Sequence, residues 1–393
     1  MSGIKIFFKN LDKLLLTICL FATSMGVLVV YSATLSSKGE SQLLSRDVII
    51  MLAATGLGLI LCFIISALDY EAVLKMWPFF TAVCLALMFS LFIWGVGPSD
   101  RPDARSWLSI GGVHFQPSEL LKIGFILTFS LHIEAVKDKT NDLKNVILLA
   151  VHGAFPVLLV IATGDLGSAL VFFGMFLGMM FLAGVKLRYF FLGGAFASAA
   201  VPVLWIKFFS QFQKDRFLAV YYPQGLTESA YKTIIYQQQQ SVNAIGAGRL
   251  FGSGLFKGVF TQNNLIPVDE SDMIFAVIGE ELGFIGAVFF LSMLALIIVK
   301  AVFNARRANT YSGKLICYGM ALMIGMQTII NIGVSLKLLP CIGITLPFYS
   351  AGGSANLCVY IGIGIIMSIH RSSVITKPVN FRLSHISTPF AQT

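Results

Sequence analysis

Three stretches of this sequence combine acids, bases and backbone-breaking residues at spacings that could act on a substrate. In the first, Gln116-Pro117-Ser118-Glu119 is followed three residues later by Lys122. Residues three apart share a helix face, so this carboxylate and ammonium can pair. Pro117 fits N1 of a helix, with Ser118 and Glu119 in the first turn, where acids are favoured. Lys122 runs directly into Ile123-Gly124-Phe125-Ile126-Leu127. A lysine just inside an apolar span is costly and tends to face a polar cavity. Both readings stay open: a helix start with a local ion pair, or a cation facing a site.

The second stretch is Pro267-Val268-Asp269-Glu270-Ser271-Asp272, leading into an apolar run that carries Glu280 and Glu281. Asp272 can be an N-cap, a position that favours Asp and Ser, or a carboxylate at the mouth of a site. At 1.5 Å per residue Glu280 lies about 12 Å below Asp272. Carboxylates at that depth face protein or water, as interhelix hydrogen-bond partners or as functional groups. In the third stretch Pro340 and Pro347 interrupt an apolar run that continues to Ser350 and the Gly352-Gly353 pair. Such broken backbone survives at membrane depth only where it is buried or lines a cavity.

The elements that position these residues are membrane helices. Hydrophobic residues make up 56% of the chain and charged residues 12%, against about a quarter charged in soluble domains. Mean hydropathy is +0.83. A span needs about 20 mostly apolar residues. Ten candidates satisfy this: 12–33, 47–67, 76–97, 118–134, 145–163, 165–185, 187–208, 273–300, 314–335 and 345–369. The first is longer than the apolar core of a signal peptide and reads as an uncleaved helix. The expected fold is therefore all-α and integral to the membrane, a single polytopic domain over 1–393. Residues 209–272 form a long extracytoplasmic loop between the seventh and eighth spans, expected to pack on the outer mouth of the bundle.

Net charge is +9, and the basic residues flank the apolar spans, so they point to membrane topology and not to nucleic acid. A cytoplasmic N-terminus puts Lys5, Lys9, Lys13, Lys75, Lys137, Lys139, Lys144, Lys186, Arg188, Lys300, Arg306, Arg307, Lys314, Arg371, Lys377 and Arg382 inside. The short outer loops then hold only Lys38, Arg46, Arg101, Arg105 and Lys337. That imbalance places both termini in the cytoplasm and all three chemical stretches near the outer face. The six cysteines form no CxxC pair and mark neither a disulfide framework nor a metal site. An acid–base cluster at one end of a helical bundle is site-like, but it does not by itself separate an enzyme from a transporter.

The ordered set of motifs resembles the SEDS (shape, elongation, division and sporulation) family. It comprises Arg105-Ser-Trp-Leu, Gln116-Pro-Ser-Glu119 with Lys122, Tyr236-Gln-x-x-Gln240-Ser241 with Ala244-Ile-Gly-x-Gly248, and Pro267-x-x-x-Ser271-Asp272. It continues through Glu280-Glu281-Leu-Gly283, Gly343-x-x-Leu-Pro347-Phe and Ser350-x-Gly352-Gly353-Ser354. The spacing from Gly252 to Gln262 is similar to the elongation (RodA) branch, while Gly279-Glu280-Glu281 reads closer to the division (FtsW) branch. Ser271, Glu270, Met273 and Ala351 stand where the family usually has Thr, His, Phe and Tyr, which leaves the Asp in place but changes its neighbours.

The resemblance implies a bacterial inner-membrane glycosyltransferase that polymerises lipid II, the undecaprenyl-pyrophosphate-linked disaccharide peptide, with inversion at the donor sugar. Asp272 would be the general base. Lys122 and Arg105 would meet the leaving pyrophosphate, with Glu119 orienting Lys122 and Arg216 as a further phosphate contact. Gln116, Ser118, Gln240, Ser241, Ser271, Ser350, Gly352 and Gly353 would shape the substrate site, with Glu280, Glu281 and Pro347 in support. A divalent cation, magnesium or manganese, could assist with the same charge, although no ligand spacing shows one. The implied protein partner is a class B penicillin-binding protein. A lipid II flippase and a non-catalytic scaffold are the alternatives; a flippase needs a polar path to the cytoplasmic side.

Overall fold

Capping residues and prolines set where the segments of this chain begin. The computed structural model describes residues 3–36, 43–97, 104–207, 209–226 and 234–375; Lys38, Arg101, Lys377 and Arg382 lie outside them. After a short α1 (Gly3–Asn10), Asp12 caps α2 (Lys13–Ala33) by accepting from Leu15 N at 3.2 Å. Ser45 does the same for α3 (Arg46–Ala67), accepting from Val48 N at 3.3 Å. A short α4 (Tyr70–Lys75) leads to α5 (Trp77–Trp94), and Pro117 stands at N1 of α6 (Pro117–Ala135). Helices α7 (Leu143–Ala162), α8 (Leu166–Leu182) and α9 (Leu187–Lys207) follow on tight turns. The last three long helices are α13 (Ile274–Arg307), α14 (Tyr311–Ser335) and α15 (Gly353–Ile375).

Among the described residues eight helices are long and apolar enough to cross a membrane: α2, α3, α5, α7, α9, α13, α14 and α15. The other two expected spans are present as helices but fall short of that measure. Helix α6 carries Glu119, Lys122 and Glu134, and α8 has only 17 residues. The expected span at 345–369 begins as a helix only at Gly353, because residues 340–352 are the irregular, proline-interrupted segment. The all-α expectation is nearly met. One β-hairpin, β1 (Leu108–Ile110) with β2 (Val113–Phe115), pairs Ser109 with His114 and turns through Gly111 and Gly112. Both glycines have positive φ, 57° and 80°, the geometry of the two-residue hairpin turn that matches strand twist.

The 209–272 segment is largely helical where it is described. It contains α10 (Gln211–Tyr221), whose Ser210 and Gln213 form a capping box, α11 (Tyr236–Gly248) and a single turn, α12 (Val259–Gln262). Helix α11 lies against α13. Glu280 and Glu281 tie the segment down. Glu280 accepts from Phe260 N, Thr261 N and Thr261 Oγ1, at 2.7, 3.0 and 2.7 Å. Glu281 accepts from Phe256 N, Gly258 N, Gln262 Nε2 and Ser32 Oγ on α2. Both carboxylates are 1% exposed. These charge-assisted bonds to otherwise orphaned backbone donors make the pair structural anchors.

Helix α13 changes direction at Gly283, whose φ of 67° and ψ of −167° are not helical. The backbone of Leu250, Phe251 and Gly252 fills the space where a Cβ would go. Only glycine combines that dihedral with so close an approach. Helix α3 packs along α15, α14 packs on α6, α8 and α13, and α5 and α7 both pack on α6. Buried apolar residues of α2, α6, α13, α14 and α15 form one continuous core.

Candidate active site

A cavity of about 330 Å³ opens at the end of the bundle where α6, α13 and α15 begin. The hairpin region contributes Trp107 and His114, and the residue preceding α6 contributes Gln116. Helix α10 adds Arg216 and α11 adds Gln237. The turn before α13 supplies Val268, Ser271 and Asp272, and the proline-interrupted segment supplies Cys341, Thr345, Ala351 and Gly352, with Gly353 and Ser354 opening α15.

Asp272 is held by its backbone and is not a helix cap. The N-cap of α13 is Met273, with no side-chain cap bond. Asn331, 1% exposed on α14, donates from Nδ2 to Asp272 O at 2.9 Å and to Ile344 O at 2.7 Å. One buried amide nitrogen thus joins the acidic turn to the proline-interrupted segment. Ser350 Oγ donates to Ser271 O at 2.6 Å and accepts from Leu346 N, while Ala351 N donates to Glu270 O. Gln116 is fixed from two sides: its N–H donates to Ser354 Oγ at 3.0 Å and its Nε2 to Asp165 Oδ2 at 2.7 Å.

The structure therefore brings Gln116, Arg216, Ser271, Asp272, Gly352 and Gly353 to one cavity. The other expected site residues go elsewhere. Lys122 is fully buried and bonded to Glu119 Oε1 at 2.7 Å, and neither residue lines the cavity. The pair lies within the helix packing, where a buried cation needs the carboxylate beside it. Arg105 is exposed and donates to Phe92 O, away from the cavity. Ser118 Oγ reaches Ser168 Oγ, Ser241 Oγ donates to Ser335 O, and Gln240 Oε1 accepts from Asn243. These three stabilise helix contacts or turns, and Pro347 belongs to the irregular segment. Of the lining residues only Arg216 carries a fixed positive charge.

Sequence reasoning missed Trp107, His114, Gln237, Cys341 and Thr345. Trp107 and His114 stand 6.1 Å apart, ring centre to ring centre, across the base of the hairpin. The Gly111-Gly112 turn between alternating residues is the signal that could have found them. Gln237 Oε1 accepts from Cys341 Sγ at 3.3 Å, which joins α11 to the proline-interrupted segment. Val268, on the cavity wall, has φ 57°, an unfavourable conformation for a β-branched residue. Among the described residues no three His, Cys, Asp or Glu side chains group to hold a metal ion.

Fold and site together define a polytopic helical membrane protein with one polar, acid-bearing cavity at a bundle end, built on broken backbone. Residues 12–375 match the family model FTSW_RODA_SPOVE, described as cell cycle protein, and the chain belongs to that family. It is 31% identical over 362 residues to the peptidoglycan glycosyltransferase MrdB of Escherichia coli K12, covering 92% of this chain and 94% of that protein. The stage V sporulation protein E of Bacillus subtilis is 30% identical, with 92% of this chain and 97% of that one covered. A chain from a structure of a peptidoglycan synthase complex superposes with a TM-score of 0.75 at 25% identity, covering 92% of this chain and 98% of its own. The rod shape determining protein RodA of Thermus thermophilus shares the fold, with a TM-score of 0.67 at 24% identity over 92% of this chain and 97% of that one.

Proposed function

We propose that this protein is a peptidoglycan glycosyltransferase that polymerises lipid II, with Asp272 as general base. The observation that carries the reading is the placement of Asp272: it lines the cavity, opposite the Gly352-Gly353 turn, and leaves the capping of α13 to Met273. The family membership and the names of the relatives support the activity. The acceptor's GlcNAc 4-hydroxyl attacks the anomeric carbon of the donor strand. Its proton passes to Asp272, and the lipid pyrophosphate leaves with inversion. A hydroxyl is a weak nucleophile at neutral pH, which is why a positioned carboxylate helps. Pyrophosphate is a good leaving group and needs charge stabilisation more than a proton. Arg216 takes the role first assigned to Lys122 and Arg105, because it is the cation on the cavity wall. A divalent cation would find no set of three ligating side chains among the described residues, and no step here uses one.

The site end of the bundle is extracytoplasmic in this reading, and both termini are cytoplasmic. A lipid-anchored sugar then meets Asp272 at the membrane surface. A class B penicillin-binding protein is the proposed partner, and the spacing from Gly252 to Gln262 favours the elongation branch. The flippase reading needs a polar route through the bundle. Along α6, buried Ile123, Phe125, Ile126, Leu127 and Phe129 lie between the Glu119–Lys122 pair and the polar groups at the other end.

The test is polymer formation from labelled lipid II by the purified protein, with and without its penicillin-binding partner and with moenomycin to silence contaminating polymerases. Wild type should give glycan polymer, and Asp272→Ala should lose at least about a hundredfold, the span of a positioned base, while eluting and melting as wild type. Equal polymer from both would remove Asp272 from the chemistry. No polymer from folded wild type with its partner would sink the enzyme reading.

A further inference from the structure

A second, larger cavity, about 760 Å³, lies at the opposite end of the bundle, between the start of α5, the end of α6 and the start of α14. It continues into a narrow apolar channel of about 60 Å³ lined by Leu85, Leu121, Phe125 and Phe155, through shared Thr128 and His152. Together they form a groove between α5 and α7, floored by α6. The wide end is walled mostly by apolar surface but carries both signs of charge: Glu71 and Glu134 against Lys75. Trp77 stands at its rim, 46% exposed, as an interfacial aromatic would.

We assign the histidine tautomers on its floor from their hydrogen bonds, taking the Thr128 hydroxyl as donor to its own helix backbone. Thr128 Oγ1 donates to Gly124 O at 2.9 Å, so it accepts from His152 Nε2 at 3.2 Å. His152 Nδ1 is then bare and accepts from His132 Nδ1, 3.0 Å away. That leaves His132 Nε2 as an acceptor in the cavity. The wide end thus offers one histidine lone pair and two carboxylates to a cation, and one lysine to an anion.

We propose that this groove binds one phospholipid with a zwitterionic amine headgroup, phosphatidylethanolamine, the first methylenes of one acyl chain entering the narrow α5–α7 channel. The placement in the cytoplasmic leaflet rests on the orientation proposed above; the binding chemistry does not. The ammonium meets Glu71, Glu134 and His132 Nε2, and the phosphate meets Lys75. A purely anionic headgroup would set its phosphate against two carboxylates with one lysine to offset them, and a soluble ligand would leave the apolar channel unfilled.

The experiment is native mass spectrometry of protein released from nanodiscs of equal phosphatidylethanolamine and phosphatidylglycerol. Wild type should retain one phosphatidylethanolamine in preference by about tenfold, the effect of one charge-assisted contact. The double variant Glu71→Gln/Lys75→Ala should lose that preference. Leu85→Trp, which fills the channel and leaves the headgroup residues intact, should lose the bound lipid. Asp272→Ala should keep it, which separates this site from the polymerisation site. Equal retention of the two lipids by wild type overturns the proposal, as does unchanged preference in the double variant or unchanged retention in Leu85→Trp. Each variant is checked for wild-type elution and melting.

Discussion

Three residues before the proposed base, Asp269 is 6% exposed, and its Oδ2 has no hydrogen-bond partner. Burial pushes its carboxyl up to about 8, and the adjacent Glu270, hydrogen-bonded to it, adds to the rise. A free aspartate titrates near 3.9. The folded state therefore holds the proton more tightly than the unfolded state. The resulting stability is complete below about pH 4 and is lost as pH rises towards 8. Melting temperature in detergent should fall between pH 5 and pH 8.5 in wild type, and Asp269→Asn should flatten that slope. An equal slope in both proteins would show that the proton sits elsewhere.

Among the elements, the kink of α13 is the joint on which the 249–262 segment is hung. Gly283→Ala would force a Cβ into the backbone of Gly252 and hold an alanine at φ 67°. Strain of this type costs about 1–3 kcal/mol, so the variant should melt lower and polymerise less, although Gly283 does not line the cavity. Wild-type melting would mean that α13 can bend without a positive φ. The helices and the convergence of Gln116, Asp272 and Gly352 at one bundle end were legible in the sequence, because apolar length and chain order fix depth in the membrane. Which way a side chain points around its helix was not. Lys122 lies at the expected depth but turns inward with Glu119, and periodicity is weak in helices that are apolar on nearly every face. Arg216 stood only as a further phosphate contact, because α10 mixes polar and apolar residues without a stripe that would show which way it faces. The Glu280–Glu281 anchors were open to either reading, since only the fold shows which backbone donors lie opposite them.

For the molecule as a whole, the proposed mechanism depends on which end faces the periplasm or cell exterior, since it places polymerisation outside. The basic flanks argue that the site end is outside, and the cysteine content makes this easy to test. All six native cysteines are buried, so an introduced surface thiol should dominate labelling. Lys257, exposed on the segment anchored by Glu280 and Glu281, marks the site end; Lys139, exposed between α6 and α7, marks the other. In intact cells or spheroplasts a membrane-impermeant maleimide should label Lys257→Cys and leave Lys139→Cys unmodified until the membrane is permeabilised. The opposite pattern would put Asp272 in the cytoplasm. It would also carry the α5–α7 groove to the outer leaflet, and would exclude extracytoplasmic polymerisation whatever the chemistry of the cavity. Labelling of both thiols in sealed cells would show a leaky preparation, which a cytosolic thiol control detects. With the expected pattern, the carboxylate and the arginine of the cavity face the side on which the proposed polymerisation takes place, and the two cavities lie at opposite leaflets.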